Sequence, residues 1–150
     1  MYTIEEFDNA KTKVLKYVLY KKRTVQEIKQ KFSTAIENEL LEEVIEELKQ
    51  IGYVSDESYM QRAVVEFMAL KNLSIKEIKY KLMAKGISSK LIEEYVTQNR
   101  EELEAYEKKS AENIVIRKAI NMEEMQIKQY LMKKGYLAES ITEALEKLED

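Results

Sequence analysis

Residues 78–87 read Ile-Lys-Tyr-Lys-Leu-Met-Ala-Lys-Gly-Ile, and residues 127–136 read Ile-Lys-Gln-Tyr-Leu-Met-Lys-Lys-Gly-Tyr. Six of the ten aligned positions are identical: Ile78/Ile127, Lys79/Lys128, Leu82/Leu131, Met83/Met132, Lys85/Lys134 and Gly86/Gly135. An internal match at fixed spacing marks a repeated structural unit, too small to bury much surface alone and obliged to share packing with its neighbours. Function then becomes a question about the surface the repeats present.

Working outward, small polar residues set helix starts. Thr24-x-x-Glu27, Ser74-x-x-Glu77 and Asn121-x-x-Glu124 each read as a capping box, in which an N-cap side chain and a glutamate three residues on satisfy each other's amides. Apolar residues follow at helical spacing: Val25, Ile28 and Phe32 after the first box, and Ile75, Ile78 and Leu82 after the second. Gly86 and Gly135 stand where these short helices end. The third box lies two positions early relative to the motif spacing, so the third short helix is expected to be two residues longer at its start.

An acidic helix with one apolar face follows each short one. The faces are Leu40, Leu41, Val44, Ile45 and Leu48, then Leu91, Ile92, Tyr95 and Val96, then Ile141, Ala144, Leu145 and Leu148. Longer helices precede the boxes, over Ile4–Lys22, Asp56–Lys71 and Glu101–Ala119. The expected fold is all-α: three tandem three-helix repeats in an elongated, curved array, spanning 1–51, 52–99 and 100–150. Zero Pro and only three Gly agree with an all-helical chain.

Composition removes several chemistries. No Cys and no His leave no disulfide, no thiolate site and no imidazole base or ligand. No long apolar run or leader pattern is present, which points to a soluble, cytoplasmic protein with no membrane contact. The glutamate pairs Glu42/Glu43 and Glu93/Glu94 sit on solvent-facing helix positions with nothing to complete a site, and no phosphate-binding loop exists. The chain reads as a cofactor-free, metal-free non-enzyme.

The net charge of −3 hides an alternation. Ala10–Phe32 is +7, Ser33–Ser58 −7, Lys71–Lys90 +5, Glu93–Glu112 −4, Arg117–Lys134 +3 and Leu137–Asp150 −4. A DNA-reading helix-turn-helix is disfavoured, because Glu37, Glu39, Glu42, Glu43, Glu46 and Glu47 would bring the third helix against phosphates. The basic short helices are the better surface. At 100° per residue, Lys76 and Ala84 fall within about 40° of Tyr80, and Met83 within about 60°. Lys79 and Lys81 flank that stripe. Two readings stay open: a solvated helix whose Met83 packs on a neighbouring repeat, or a contact face for an acidic partner or phosphates. Among the tyrosines, Tyr17, Tyr59 and Tyr95 fit apolar faces, and Tyr80 and Tyr130 are the surface candidates.

The run Gly52-Tyr53-Val54-Ser55-Asp56-Glu57-Ser58-Tyr59, a following helix, and then Lys71–Ile87 resemble the central module of the bacterial RecX family. Arg23-Thr24-x-x-Glu27-Ile28-x-x-x-Phe32 is similar to that family's first module, and 113–149 to its third. The resemblance implies a non-enzymatic, monomeric modulator that lies in the groove of the RecA–DNA filament. It further implies restraint of strand exchange, ATPase and co-protease activity in recombinational repair and the SOS response. The partner-binding residues it suggests are Lys76, Lys79, Tyr80, Lys81, Lys85, Lys128, Lys133 and Lys134. Ser55 stands where the family usually has Asp, Asn72 where Gly is common, and Ala63–Leu70 where members are Arg-rich. The departures weaken the expected DNA contact, leaving it weak and non-specific, more than they weaken filament contact. The alternative is a helical-repeat interaction module for another partner.

Overall fold

Hydroxyl N-caps start the first two short helices as their sequence requires. Thr24 Oγ1 accepts from the Glu27 amide at 3.1 Å while Thr24 N donates to Glu27 Oε1 at 3.0 Å. Ser74 repeats the pattern at 3.0 and 2.9 Å. Each box satisfies amides that the helix itself leaves without a partner.

The computed structural model describes residues 2–149. Among them are nine helices and no strand: α1 (Ile4–Tyr20), α2 (Val25–Phe32), α3 (Asn38–Ile51), α4 (Asp56–Leu70), α5 (Ile75–Ala84), α6 (Ser89–Gln98), α7 (Arg100–Lys118), α8 (Glu124–Lys134) and α9 (Ala138–Glu149). The order long, short, acidic recurs three times, as three tandem three-helix repeats. The long helices α1, α4 and α7 end within two residues of their expected limits.

The third capping box is a correction. Asn121 does not start α8: its amide bonds Lys118 O at 3.1 Å, so it belongs to the turn that closes α7. The N-cap is Glu123, whose amide donates to Gln126 Oε1 at 3.0 Å. Position 123 lies as far beyond Ser74 as Ile127 lies beyond Ile78. The packing register of Ile127 and Leu131 therefore outweighs the better capping propensity of Asn121, and α8 gains no extra residues at its start.

Two compact units emerge from the packing: Met1–Gln61 with Ala84–Ile87, and Arg62–Met83 with Ser88–Asp150. The division falls inside α4 and inside α5. In the first unit Val14 and Val18 of α1, Ile28 and Phe32 of α2, and Leu41, Val44, Ile45 and Leu48 of α3 share one core. In the second, Ala111, Ile114 and Val115 of α7 pack with Ile127 and Leu131 of α8 and Ile141, Ala144 and Leu145 of α9. Leu131 is fully buried, so truncating it to Ala would cost about 2–5 kcal/mol. The expected inward faces are buried with few exceptions: Val25, Ile75, Leu91 and Tyr95 are half-buried, and Leu148 is exposed.

Tyr17, Tyr59 and Tyr95 are half-buried, whereas the buried tyrosines are Tyr106 and Tyr136. No helix among the described residues is long and apolar enough to cross a membrane.

Candidate functional site

The Lys-Gly pair that closes the repeated motif makes the same joint in both units. In the first, the N-terminus of α2 sits on Lys85–Gly86. Thr24 Oγ1 donates to Lys85 O at 2.7 Å, and the Lys85 ammonium lies 3.6 Å from Glu27 Oε2. Asp56 Oδ1 accepts from Val25 N at 2.9 Å, placing a carboxylate at the positive end of α2. Gly86, at φ +90°, has no room for a Cβ, which would fall 2.4 Å from Gln26 Cβ.

In the second unit the N-terminus of α5 sits on Lys134–Gly135 in the same way. Ser74 Oγ donates to Lys134 O at 2.7 Å, and Lys134 Nζ lies 3.1 Å from Glu77 Oε2. Glu77 thus caps its own helix with one oxygen and holds a lysine with the other. The role of Asp56 passes to Glu107 of α7, whose residue is fully buried. Glu107 Oε2 accepts from Ile75 N at 2.9 Å, and Oε1 accepts from Leu137 N and Ser140 Oγ, both at 2.8 Å. One buried carboxylate therefore serves the starts of α5 and α9, its burial compensated by three donors and two helix termini.

A hydroxyl network lies beside it. Ser110 Oγ donates to Leu73 O at 3.0 Å and accepts from Tyr136 Oη at 2.6 Å; Tyr106 Oη donates to the same carbonyl at 2.8 Å. Burial pushes the Tyr136 phenol far up and also raises Tyr106, the bonds to Ser110 and Leu73 opposing it only in part. Reading the sequence missed Glu107 as a positioned group. The signal was its spacing, between Leu103 and Ile114 on the inward stripe of α7.

Against this frame the eight expected partner-binding residues separate. Lys85 and Lys134 hold the two joints, and Lys79 lies 3.0 Å from Glu93. Lys76 packs along Gly135, and its ammonium stands 5.9 Å from the Tyr80 ring centroid. Lys81, Lys128 and Lys133 are exposed and form no ion pair among the described residues. Lys134 also lies 5.7 Å from the Tyr130 ring, with Lys118 at 4.8 Å, so Tyr130 is half-buried under cations while Tyr80 is open. Met83 and Met132 are both exposed and do not pack away on a neighbour.

Lys76, Lys79 and Tyr80 meet at one place, the rim of an open pocket of about 410 Å³ in the second unit. Ile75, Met83, Val96, Leu103 and Leu137 form its apolar wall, and Glu93, Arg100 and Glu104 complete the rim. Nothing in this set is a nucleophile paired with a base; the arrangement can hold an apolar group beside charges.

No family model matches the chain. The chain is 29% identical over 139 residues to the regulatory protein RecX of Staphylococcus carnosus, covering 90% of this chain and 52% of that protein. It is 32% identical over 80 residues to the regulatory protein RecX of Streptococcus agalactiae, covering 53% of this chain and 31% of that one. The crystal structure of RecX from Lactobacillus salivarius superposes with a TM-score of 0.82 at 22% identity, covering 98% of this chain and 99% of that one. In sequence the chain is similar to regulatory RecX proteins, and it shares the fold of the solved RecX structures. A second RecX crystal structure shares the fold with a TM-score of 0.80 at 21% identity, over 95% of this chain and 73% of that one. The chain spans about half the length of the Staphylococcus relative and about a third of the streptococcal ones.

Proposed function

We propose that this chain is a non-enzymatic regulator of a RecA recombinase, acting in the cytoplasm by binding in the groove of the RecA–DNA filament. Its effect is inhibitory, on strand exchange, ATP hydrolysis and co-protease activity. The observation that carries the reading is the match to the regulatory protein RecX of Staphylococcus carnosus along 90% of the chain. The repeats 1–51, 52–99 and 100–150 serve as a monomeric scaffold, and DNA contributes only weak, non-specific contact.

Within that reading the eight residues have different parts. Lys76, Lys81, Lys128 and Lys133, with Tyr80, offer open side chains and make the contact. Lys79, Lys85 and Lys134 are engaged by Glu93, Glu27 and Glu77, and they shape the surface rather than lead it.

The test is RecA assembled on single-stranded DNA with ATP, titrated with this protein. Inhibition of ATP hydrolysis below one protein per recombinase monomer is expected. Absence of filament binding at low salt would sink the reading and leave the general helical-repeat interaction module in its place.

A further inference from the structure

Lys76 and Lys79 of α5 border an apolar opening, not a uniformly polar face. Tyr80 and Met83 are 58% and 50% exposed at the mouth of the 410 Å³ pocket. Behind them the wall is Ile75, Val96, Leu103 and Leu137. Water against such a wall is released when an apolar group replaces it. The volume lies toward the small end of ligand-holding pockets, about 300–1,000 Å³, and suits one or two side chains.

The rim charges indicate what surrounds that group. Glu93 and Glu104 are already held, by Lys79 at 3.0 Å and Arg100 at 3.9 Å. Glu107 is taken up by its three donors. Lys76, on the rim, has no acidic partner among the described residues. A carboxylate-bearing neighbour therefore complements the mouth. A nucleic acid strand fits less well, because Lys76 already stands near the Tyr80 ring a base would use.

We propose that this pocket takes a bulky apolar side chain carried on an acidic segment of a protein partner. The proposal rests on the function above, in which that partner is the recombinase filament. The apolar anchor supplies affinity and the lysines supply encounter and register.

The experiment compares filament binding by the full chain with that of Met83→Glu and of Val65→Glu. Val65→Glu makes the same charge change at an exposed position of α4 outside the pocket. Met83→Glu should weaken binding at least tenfold and Val65→Glu less than twofold. Equal loss in both variants overturns the proposal, as does no loss in Met83→Glu. A second measurement stands apart from the filament: NMR shift mapping on the unaltered chain with the peptide Glu-Asp-Phe-Glu-Asp, its Phe-to-Ala version, and a thymidine oligonucleotide. Shifts at Tyr80, Met83 and Leu137 with the Phe peptide alone support the pocket, even where filament binding fails and the functional reading falls. No shifts, or equal shifts with the Ala peptide, overturn it, and the same shifts with the oligonucleotide assign the pocket to nucleic acid instead.

Discussion

Gly135 lies so tightly against Lys76 that a Cβ built on it would sit 2.8 Å from Lys76 Cδ and 3.0 Å from Lys76 Cβ. The glycine conserved between the two motif copies in this chain therefore has two duties. It adopts a φ of +90° after the helix, and it lets the start of an earlier short helix come into contact.

Those duties can be separated, because Gly52 has a φ of +101° with nothing within 4 Å of a Cβ. Gly52→Ala should lose only the backbone term, roughly 1–2 kcal/mol. Gly86→Ala and Gly135→Ala should lose more, since the crowding adds to it. Gly86→Ala should be the worse, because the near atom is Gln26 Cβ, which cannot swing away like the end of a lysine chain. Urea denaturation of the three variants reads this out. Equal losses would mean that the joints carry no steric demand.

Glu107 should be the most sensitive polar residue in the second unit. Glu107→Ala leaves the amides of Ile75 and Leu137 and the Ser140 hydroxyl without their acceptor. Charge-assisted bonds of this kind contribute about 1.5–3 kcal/mol each and are not additive, so a loss of roughly 3–5 kcal/mol is expected. Glu107→Gln keeps the shape but turns a donor toward donors, and should fall between that variant and the unaltered chain. A loss under about 1 kcal/mol in Glu107→Ala would contradict the double-capping role.

The same residue shows where sequence reading stops. Thr24, Ser74 and the face of α3 were legible because capping and amphipathic spacing are local properties, complete within a few residues. Glu107 was not, because its three partners lie 30 to 33 residues away and a charged residue is by default a surface one. Lys85 and Lys134 read as surface charges for the same reason: their glutamates come from an earlier repeat. At Asn121 local and long-range signals disagreed, and the register of the buried Ile127 and Leu131 prevailed.

Alkaline pH should destabilise the second unit through its buried phenols. Tyr136 and Tyr106 are raised in the folded state, chiefly by burial, above the ordinary value near 10. The folded chain therefore keeps its phenolic protons where the unfolded chain releases them, and stability falls as pH rises. The stabilisation is complete below about pH 10 and is lost progressively above it. Unfolding free energies at pH 8, 10 and 11 should decline across the last interval. Tyr136→Phe should flatten that decline, and an unchanged slope would mean that Tyr136 titrates alike in both states.

Salt distinguishes protein contact from phosphate contact on the filament. The open cations proposed for the interface are Lys76, Lys81, Lys128 and Lys133. Each phosphate neutralised steepens the logarithmic dependence of affinity on salt by about 0.9, or 0.7 on a single strand. With at most one or two such contacts, raising salt from 50 to 200 mM should weaken filament binding by roughly tenfold or less. Six or more contacts would weaken it about a thousandfold. The Lys81→Gln and Lys128→Gln variants sharpen the comparison. Where the partner surface is protein carboxylate, each should lower affinity while leaving the salt slope nearly unchanged. A slope that drops by about 0.7–0.9 for each substitution would place those lysines on phosphate, and the filament reading would then rest on its nucleic acid and not on its protein.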